Sequence, residues 1–127
     1  MEEKVIFPEL SYQIVGASYR VFNDLAWGLH EKYYQRALAK EFESLSVPFI
    51  REFPISIGYK GNSIGTYYAD FLVDKKIIVE LKVKIRLGYI HLRQVLEYLQ
   101  RANIKLAVLV YFTKEGVKYR RVLNSQI

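Results

Sequence analysis

The spacing of hydrophobic residues along the chain alternates between two periods, and each period predicts one kind of element. In residues 9–26, apolar side chains recur every three or four positions, which is typical of one face of an amphipathic helix. Trp27-Gly28 interrupts this spacing, and a second helix is predicted from residue 30 to about residue 45. The helical spacing returns in residues 89–101. The pattern therefore predicts three helices.

Other segments are rich in β-branched and aromatic residues, many of them in alternation with polar residues, which predicts strands. Turn-forming residues such as those in "KGNSIG" and "TKEG" separate several of these segments from one another. The predicted strands cover residues 47–59, 64–73, 76–83, 105–112 and 116–123.

The order of these elements, α-α-β-β-β-α-β-β, predicts an α/β domain whose mixed central sheet is flanked by helices. Strand 105–112 follows a helix, so we expect a crossover connection that leaves it parallel to a central strand. Pro54 cannot donate a ladder hydrogen bond, which favours an edge position or a bulge for the first strand. The charged strand 116–123 is also expected at an edge of the sheet.

The composition narrows the classes of function. The 127 residues suffice for one domain with one core, and we expect residues 1–127 to form it. The net charge of +6 favours a polyanionic partner, because clustered lysines and arginines release counterions from phosphates. A solvated basic surface without a specific partner explains the same charge equally well.

The chain contains no cysteine and only two histidines, His30 and His91, so any bound metal is expected to have oxygen ligands. The N-terminal residues lack the basic and apolar regions of a signal peptide, and the apolar run at residues 106–112 is too short to span a bilayer. These features predict a soluble cytoplasmic protein.

Asp70, Glu80 and Lys82 stand inside predicted strands that are otherwise almost wholly apolar. Side chains alternate along a strand, so Glu80 and Lys82 share one face. On the preceding strand, the same alternation places Asp70 opposite the face that carries Ala69, Phe71 and Val73. Whether the three charges converge therefore depends on the register between the two strands.

A strict two-residue turn at Asp74-Lys75 would pair Asp70 with Val79 and send Glu80 to the other face. A three-residue loop or a bulge brings Asp70 beside Glu80 instead. We predict the bulge or the longer loop.

Two carboxylates that converge from adjacent strands form an oxygen-rich site suited to Mg²⁺ or Mn²⁺, and a nearby lysine can position a metal-bound water. This arrangement suits phosphodiester hydrolysis. The alternative is an ordinary cross-strand ion pair between Asp70 and Lys82 on a solvated face, which would stabilise the fold only slightly.

Three motifs are similar to those of a known family. Asp70 followed by "ELK" at residues 80–82 resembles the PD-(D/E)XK nuclease superfamily, and the inferred αβββαβ order resembles its restriction-endonuclease-like core. "GLHEKYY" at residues 28–34 resembles the pattern that names the GxxExxY family within that superfamily. "QVLEY" at residues 94–98 resembles the QxxxY helix of its exonuclease-like members.

The resemblance implies a metal-dependent nuclease, and DNA rather than RNA is its expected substrate. It implies that Asp70, Glu80 and the backbone carbonyl of Leu81 hold the metal, with Glu31 as a further ligand. It also implies that Lys82 steers the attacking water. Catalytic roles are implied for Gln94 and Tyr98, whose spacing places them on one helical face, and the nearby residues Lys84, Arg86, His91 and Arg93 are expected to contact the nucleic acid.

Two other functions fit the same sequence. One is a non-catalytic domain that keeps the fold and its basic surface to bind nucleic acid or a protein partner. The other is a Holliday-junction resolvase, which would act as a dimer on branched DNA. A homodimer is compatible with a chain of this size, although no residue pattern specifies one.

Overall fold

The computed structural model describes residues 6–86 and 92–127. Among these residues, no helix combines the length and hydropathy that a bilayer crossing requires. The predicted order of elements is confirmed, with β2 beginning two residues before its predicted start. The elements are α1 (Pro8–Leu25), α2 (Glu31–Ser44), β1 (Phe49–Tyr59), β2 (Asn62–Val73), β3 (Ile77–Val83), α3 (Leu92–Ala102), β4 (Leu106–Thr113) and β5 (Gly116–Leu123).

The sheet has five strands in the order β1-β2-β3-β4-β5. β3 and β4 run parallel and are joined through α3, whereas the other neighbouring strands run antiparallel. The predicted α/β class, the mixed sheet and the crossover are therefore confirmed. β1, which contains Pro54, and β5 are the two edge strands, as the sequence predicted.

Each face of the sheet buries its own hydrophobic cluster. One cluster packs α1 and α2 against side chains such as Leu81 and Phe112. The other packs α3, through Val95 and Leu99, against the opposite face that includes Ile78. This two-sided burial explains why β4 reads as a continuous apolar run, since all eight of its residues are buried.

The loop between β2 and β3 sets the register of the two charged strands. Val73 pairs with Ile77, so the loop contains three residues, and continuing this register places Asp70 opposite Glu80. Asp74 and Lys75 adopt left-handed backbone conformations, with φ of 50° and 58°. The prediction of a loop longer than two residues is confirmed.

The regular alternation of β2 breaks at Asp70. Phe71 packs in the cluster under α1 and α2, whereas Ala69 packs in the cluster under α3. The prediction that Ala69 shares a face with Phe71 is therefore wrong. The physical reason is a local irregularity in the neighbouring strand, where Glu52, between Arg51 and Phe53, has a φ of 54° and no regular cross-strand partner.

A tight connection between α1 and α2 places the start of α2 beside the sheet. Gly28 has a φ of 118°, a backbone conformation that residues with a Cβ rarely adopt. The buried Tyr34 hydroxyl donates to the carbonyl of Ala26 and accepts a hydrogen bond from the Leu29 N–H. The ring of Tyr34 also stacks on Phe112, with 4.6 Å between ring centroids. This connection fixes where α2 begins.

Candidate metal-dependent hydrolytic site

Hydrogen bonds fix both oxygens of Asp70. The backbone N–H of Leu81 donates to Oδ2 at 2.8 Å, and Nε2 of Gln35 donates to Oδ1 at 2.9 Å. Leu81 lies on β3 and Gln35 on α2, so Asp70 links a helix to two strands. The carboxylate orientation is therefore set by three separate elements.

Glu80 is held beside Asp70 but keeps one oxygen unpaired. Its side chain is only 4% exposed. Oε2 accepts a hydrogen bond from the Tyr67 hydroxyl at 2.9 Å, and the carboxylate also faces the backbone N–H of Asp70. Oε1 is buried and has no hydrogen-bond partner among residues 6–86 and 92–127. Such a group is costly in a folded protein, so it indicates a position where a further ligand belongs.

Burial and mutual repulsion act on both carboxyl groups. Burial, followed by the negative charge of Asp70, raises the pKa of Glu80 to about 8. Burial also raises the pKa of Asp70, while the Leu81 N–H, Gln35 and the positive charge of Lys82 act in the opposite direction. A divalent cation between the two groups would favour their ionised forms.

Glu31 and Lys82 lie at the edge of the same site. Burial raises the pKa of Glu31, the charge of Asp70 adds to that rise, and Lys82 and the N–H of Val83 lower it. His30 caps the helix, since its Nδ1 accepts a hydrogen bond from the N–H of Lys32 at 3.3 Å. The structure thus brings Glu31, Asp70, Glu80 and Lys82 into one electrostatic group.

The donor set fits a hard divalent cation in part. Asp70 and Glu80 supply adjacent carboxylates, and the unpaired Oε1 of Glu80 offers a free lone pair. In residues 6–86 and 92–127, however, no three acidic or histidine side chains are grouped closely enough to form a ready-made metal cage. Glu31 is held towards Val83 and Lys82 instead. The two strand carboxylates are therefore the part of the site that fits.

The comparison with known families agrees with this arrangement. A family model described as the PD-(D/E)XK nuclease superfamily matches residues 8–122. The chain belongs to this superfamily. The five-stranded mixed sheet flanked by helices is consistent with the restriction-endonuclease-like fold that the resemblance implied.

Two solved structures are similar to this superfamily member. One, the crystal structure of SSO0001, is 18% identical with a TM-score of 0.57, and the match covers 92% of this chain but 57% of that chain. At this identity the likeness concerns the fold alone. The other is the crystal structure of an alkaline exonuclease (LHK-Exo) from Laribacter hongkongensis, with 9% identity, a TM-score of 0.43 and coverages of 91% and 83%. No curated protein is significantly similar to the chain.

The two residues of the QxxxY motif occupy different environments in this member. Tyr98 is half-buried and stacks on Tyr67, with ring centroids 3.7 Å apart and an interplanar angle of 10°. It therefore reaches Glu80 through Tyr67. Gln94 is exposed and lines a cleft with Ile57 and Tyr98, and among the hydrogen bonds between described residues none involves its side chain.

Three of the four predicted nucleic-acid contacts lie close to the end of β3 or on α3. Lys84 and Arg86 are exposed just after β3, and the Lys84 carbonyl accepts a hydrogen bond from Trp27 Nε1 at 2.8 Å. Arg93 is exposed on α3. His91 falls outside the described residues, so its predicted role stays a prediction.

Sequence reasoning missed the site contacts of Gln35 and Tyr67. Gln35 follows Glu31 by four residues and so shares its helical face, a signal that could have found it. Tyr67 lies an odd number of positions before Asp70, which in a regular strand would place it on the other face. The break in alternation at Asp70 allows Tyr67 and Asp70 to approach the same site. No sequence pattern indicated this break.

Proposed function

We propose that this chain is a metal-dependent nuclease of the GxxExxY type that hydrolyses phosphodiester bonds in DNA. The observation that carries the proposal is the convergence of Asp70 and Glu80 beside Lys82 in a member of a nuclease superfamily. The long hairpin loop produces this convergence, and a regular two-residue turn would have abolished it.

The proposed roles follow from the positions of the side chains. Asp70 and Glu80 would hold Mg²⁺ or Mn²⁺, with the Leu81 carbonyl and Glu31 as the further ligands that the resemblance implies. A bound metal would supply charge stabilisation and a more acidic water. Lys82 is proposed to orient the attacking water and to offset the negative charge that develops on the phosphate.

Gln35 and Tyr67 are proposed as positioning residues. Their hydrogen bonds fix one oxygen of Asp70 and one of Glu80, so the two carboxylates cannot rotate freely. Tyr98 is proposed to hold Tyr67 in place by stacking. Gln94 and the basic residues Lys84, Arg86, His91 and Arg93 are proposed to contact the nucleic acid.

A substrate panel tests the proposal. The purified chain, the Asp70→Asn variant and the control Asp24→Asn would be incubated with labelled linear, single-stranded and branched DNA in Mg²⁺, Mn²⁺ or EDTA. Asp24 is exposed on α1 and has no place in the site. We expect the native chain and the control to cleave only with metal, and Asp70→Asn to be inactive.

The same panel separates the other functions. Cleavage restricted to branched DNA, together with a dimer in solution, would support a Holliday-junction resolvase. DNA binding without cleavage of any substrate would contradict the nuclease proposal and support a non-catalytic binding domain.

A further inference from the structure

α3 and the edge strand β5 enclose a basic cleft of about 570 Å³. Three arginines belong to its lining, Arg93 from α3 and Arg120 and Arg121 from β5, and the guanidinium of Arg121 donates to the carbonyl of Ile6. Apolar side chains form much of the remaining lining, among them Leu92, Leu96 and Leu123. We name this feature the α3–β5 cleft. Its mixture of cationic and apolar groups is typical of surfaces that carry a nucleic-acid strand.

The sheet connects this cleft to the candidate hydrolytic site. In the register of β3, β4 and β5, Glu80 pairs with Leu109, which in turn pairs with Arg120. Cross-strand partners share a face, and neighbouring strands lie about 4.8 Å apart, so Arg120 lies about two strand spacings, on the order of 10 Å, from Glu80. Leu109 between them is buried under α3, so this spacing relates the two residues but is not itself an open groove.

The adjacent cross-strand row also has charged residues at both ends. Lys82 pairs with Tyr111, and Tyr111 pairs with Lys118 on β5. Lys118 is exposed, and Lys82 belongs to the candidate site. Positive side chains therefore lie at both ends of this row, with the buried Tyr111 between them.

Hydrogen-bond donors in or beside the cleft lack acceptors among the described residues. Nε of Arg120, in the lining, is buried without a partner there, and so is the hydroxyl of the neighbouring Tyr111, whose side chain is 1% exposed. The two residues are diagonal neighbours on one face, and the charge of Arg120 acts on the Tyr111 hydroxyl. Among the described residues, neither Arg93 nor Arg120 has a carboxylate within ion-pair distance. Phosphate oxygens only accept hydrogen bonds, so they match this set of donors.

We infer that the α3–β5 cleft binds a backbone phosphate of the nucleic-acid strand beyond the scissile bond, with Arg120 and Arg93 as its ligands. The inference rests on the proposed function for the position of the scissile bond. The apolar side chains of the cleft would pack against the adjoining sugar or base. Arg120 thereby becomes a binding residue that fixes which part of the strand lies at Asp70 and Glu80.

Binding without turnover tests this inference. A fluorescent single-stranded DNA oligonucleotide would be titrated in EDTA with the Lys82→Ala protein and with the same protein carrying Arg93→Gln, Arg120→Gln or Arg120→Lys. The matched control is Arg20→Gln, which removes one positive charge from α1 on the opposite face of the sheet. Each titration would be repeated at several salt concentrations, and thermal melts would check that each variant is folded.

We expect Arg93→Gln and Arg120→Gln each to weaken binding about tenfold at low salt and to reduce the salt dependence by about one phosphate contact. Arg120→Lys should lose less binding affinity than Arg120→Gln, because it keeps the positive charge. Arg20→Gln should bind DNA with the affinity of the Lys82→Ala protein. Because Arg93 is exposed, its variant remains informative even where Arg120→Gln folds poorly. Equal affinity and salt slope in Arg93→Gln, Arg120→Lys and Arg20→Gln would overturn the inference.

The outcome is independent of catalysis. If the native chain cleaves no DNA but Arg93 and Arg120 still govern binding, the cleft inference stands and the nuclease proposal fails. If DNA is cleaved but the arginine variants bind like the control, the cleft inference alone is overturned.

Discussion

Glu80 combines deep burial with an unpaired oxygen and a negatively charged neighbour. Removing a carboxylate from water disfavours its charged form, and Asp70 adds repulsion, so the pKa of Glu80 rises to about 8. Within the part of the chain that the structure describes, only Tyr67 donates a side-chain hydrogen bond to it. The ionised carboxylate of Glu80 therefore lowers the stability of the metal-free protein, and this effect on the free energy of unfolding can be measured.

The first prediction concerns the pH dependence of stability in EDTA. The folded-state pKa of Glu80 is raised from 4.5 to about 8, so its contribution to stability is fully present below about pH 4.5 and is lost as the pH rises through 8. Glu80→Gln cannot ionise and should escape this loss. Denaturant titrations should show the variant more stable than the native chain at pH 8.5, by on the order of a few kcal/mol, and similar to it at pH 5.

Glu97→Gln is the control for this prediction. Glu97 is exposed and pairs with Arg101 on the surface of α3, an interaction that contributes little to stability. If Glu80→Gln and Glu97→Gln show the same pH dependence as the native chain, Glu80 does not carry the buried charge described above.

The second prediction concerns Gln35, which orients Asp70. Gln35→Ala removes the hydrogen bond to Oδ1, so Asp70 should become more mobile and its pKa should rise further. Loss of such a supporting contact typically lowers metal affinity or activity about 10- to 100-fold. Gln13→Ala, at an exposed position of α1, should leave both unchanged. Calorimetric titration with Mn²⁺ and a pH profile of cleavage provide the readouts. Unchanged metal affinity and an unshifted profile would contradict this role.

Among the elements, the connection between α1 and α2 gives the GxxExxY motif a structural meaning. Gly28 supplies the positive φ, Glu31 begins α2 beside the sheet, and the Tyr34 hydroxyl bonds to both sides of the connection. In this reading the tyrosine of the motif stabilises the position of the helix and does not touch the substrate.

The third prediction tests this role. Tyr34→Phe removes two hydrogen bonds from a buried position, so it should lower the free energy of unfolding by about 1–3 kcal/mol. Tyr33→Phe changes the neighbouring but exposed tyrosine and should have almost no effect. Thermal and denaturant unfolding compare the two. Equal stability of both variants would show that the hydroxyl does not anchor the connection.

The elements also show how far sequence reasoning reaches. Among the described residues, hydrophobic periodicity predicted every helix and strand, because each element buries one or two regular faces. The hairpin register was predicted from the loop length that places Asp70 beside Glu80. The face reversal at Asp70 could not be predicted, since it depends on the left-handed backbone of Glu52 in the neighbouring strand. The Tyr67–Tyr98 stack likewise depends on how α3 packs across the sheet.

At the scale of the whole molecule, one sheet holds the proposed hydrolytic site and the proposed binding surface together. β3 carries Glu80 and Lys82, and the same face continues across β4 to Arg120 on β5. Part of the net charge of +6 lies close to this face, on Lys82 at one side of β4 and on Arg120 at the other.

The central claim is that Lys82 acts in phosphodiester hydrolysis beside Asp70 and Glu80. The most direct measurement is the single-turnover cleavage rate of labelled linear DNA in Mg²⁺ or Mn²⁺ by the native chain, Lys82→Ala and the control Lys40→Ala, an exposed position on α2. We expect the control to cleave at the native rate and Lys82→Ala to be slower by about 100-fold or more while it still binds DNA. Equal rates for native chain and Lys82→Ala, or no metal-dependent cleavage by either, would contradict the claim.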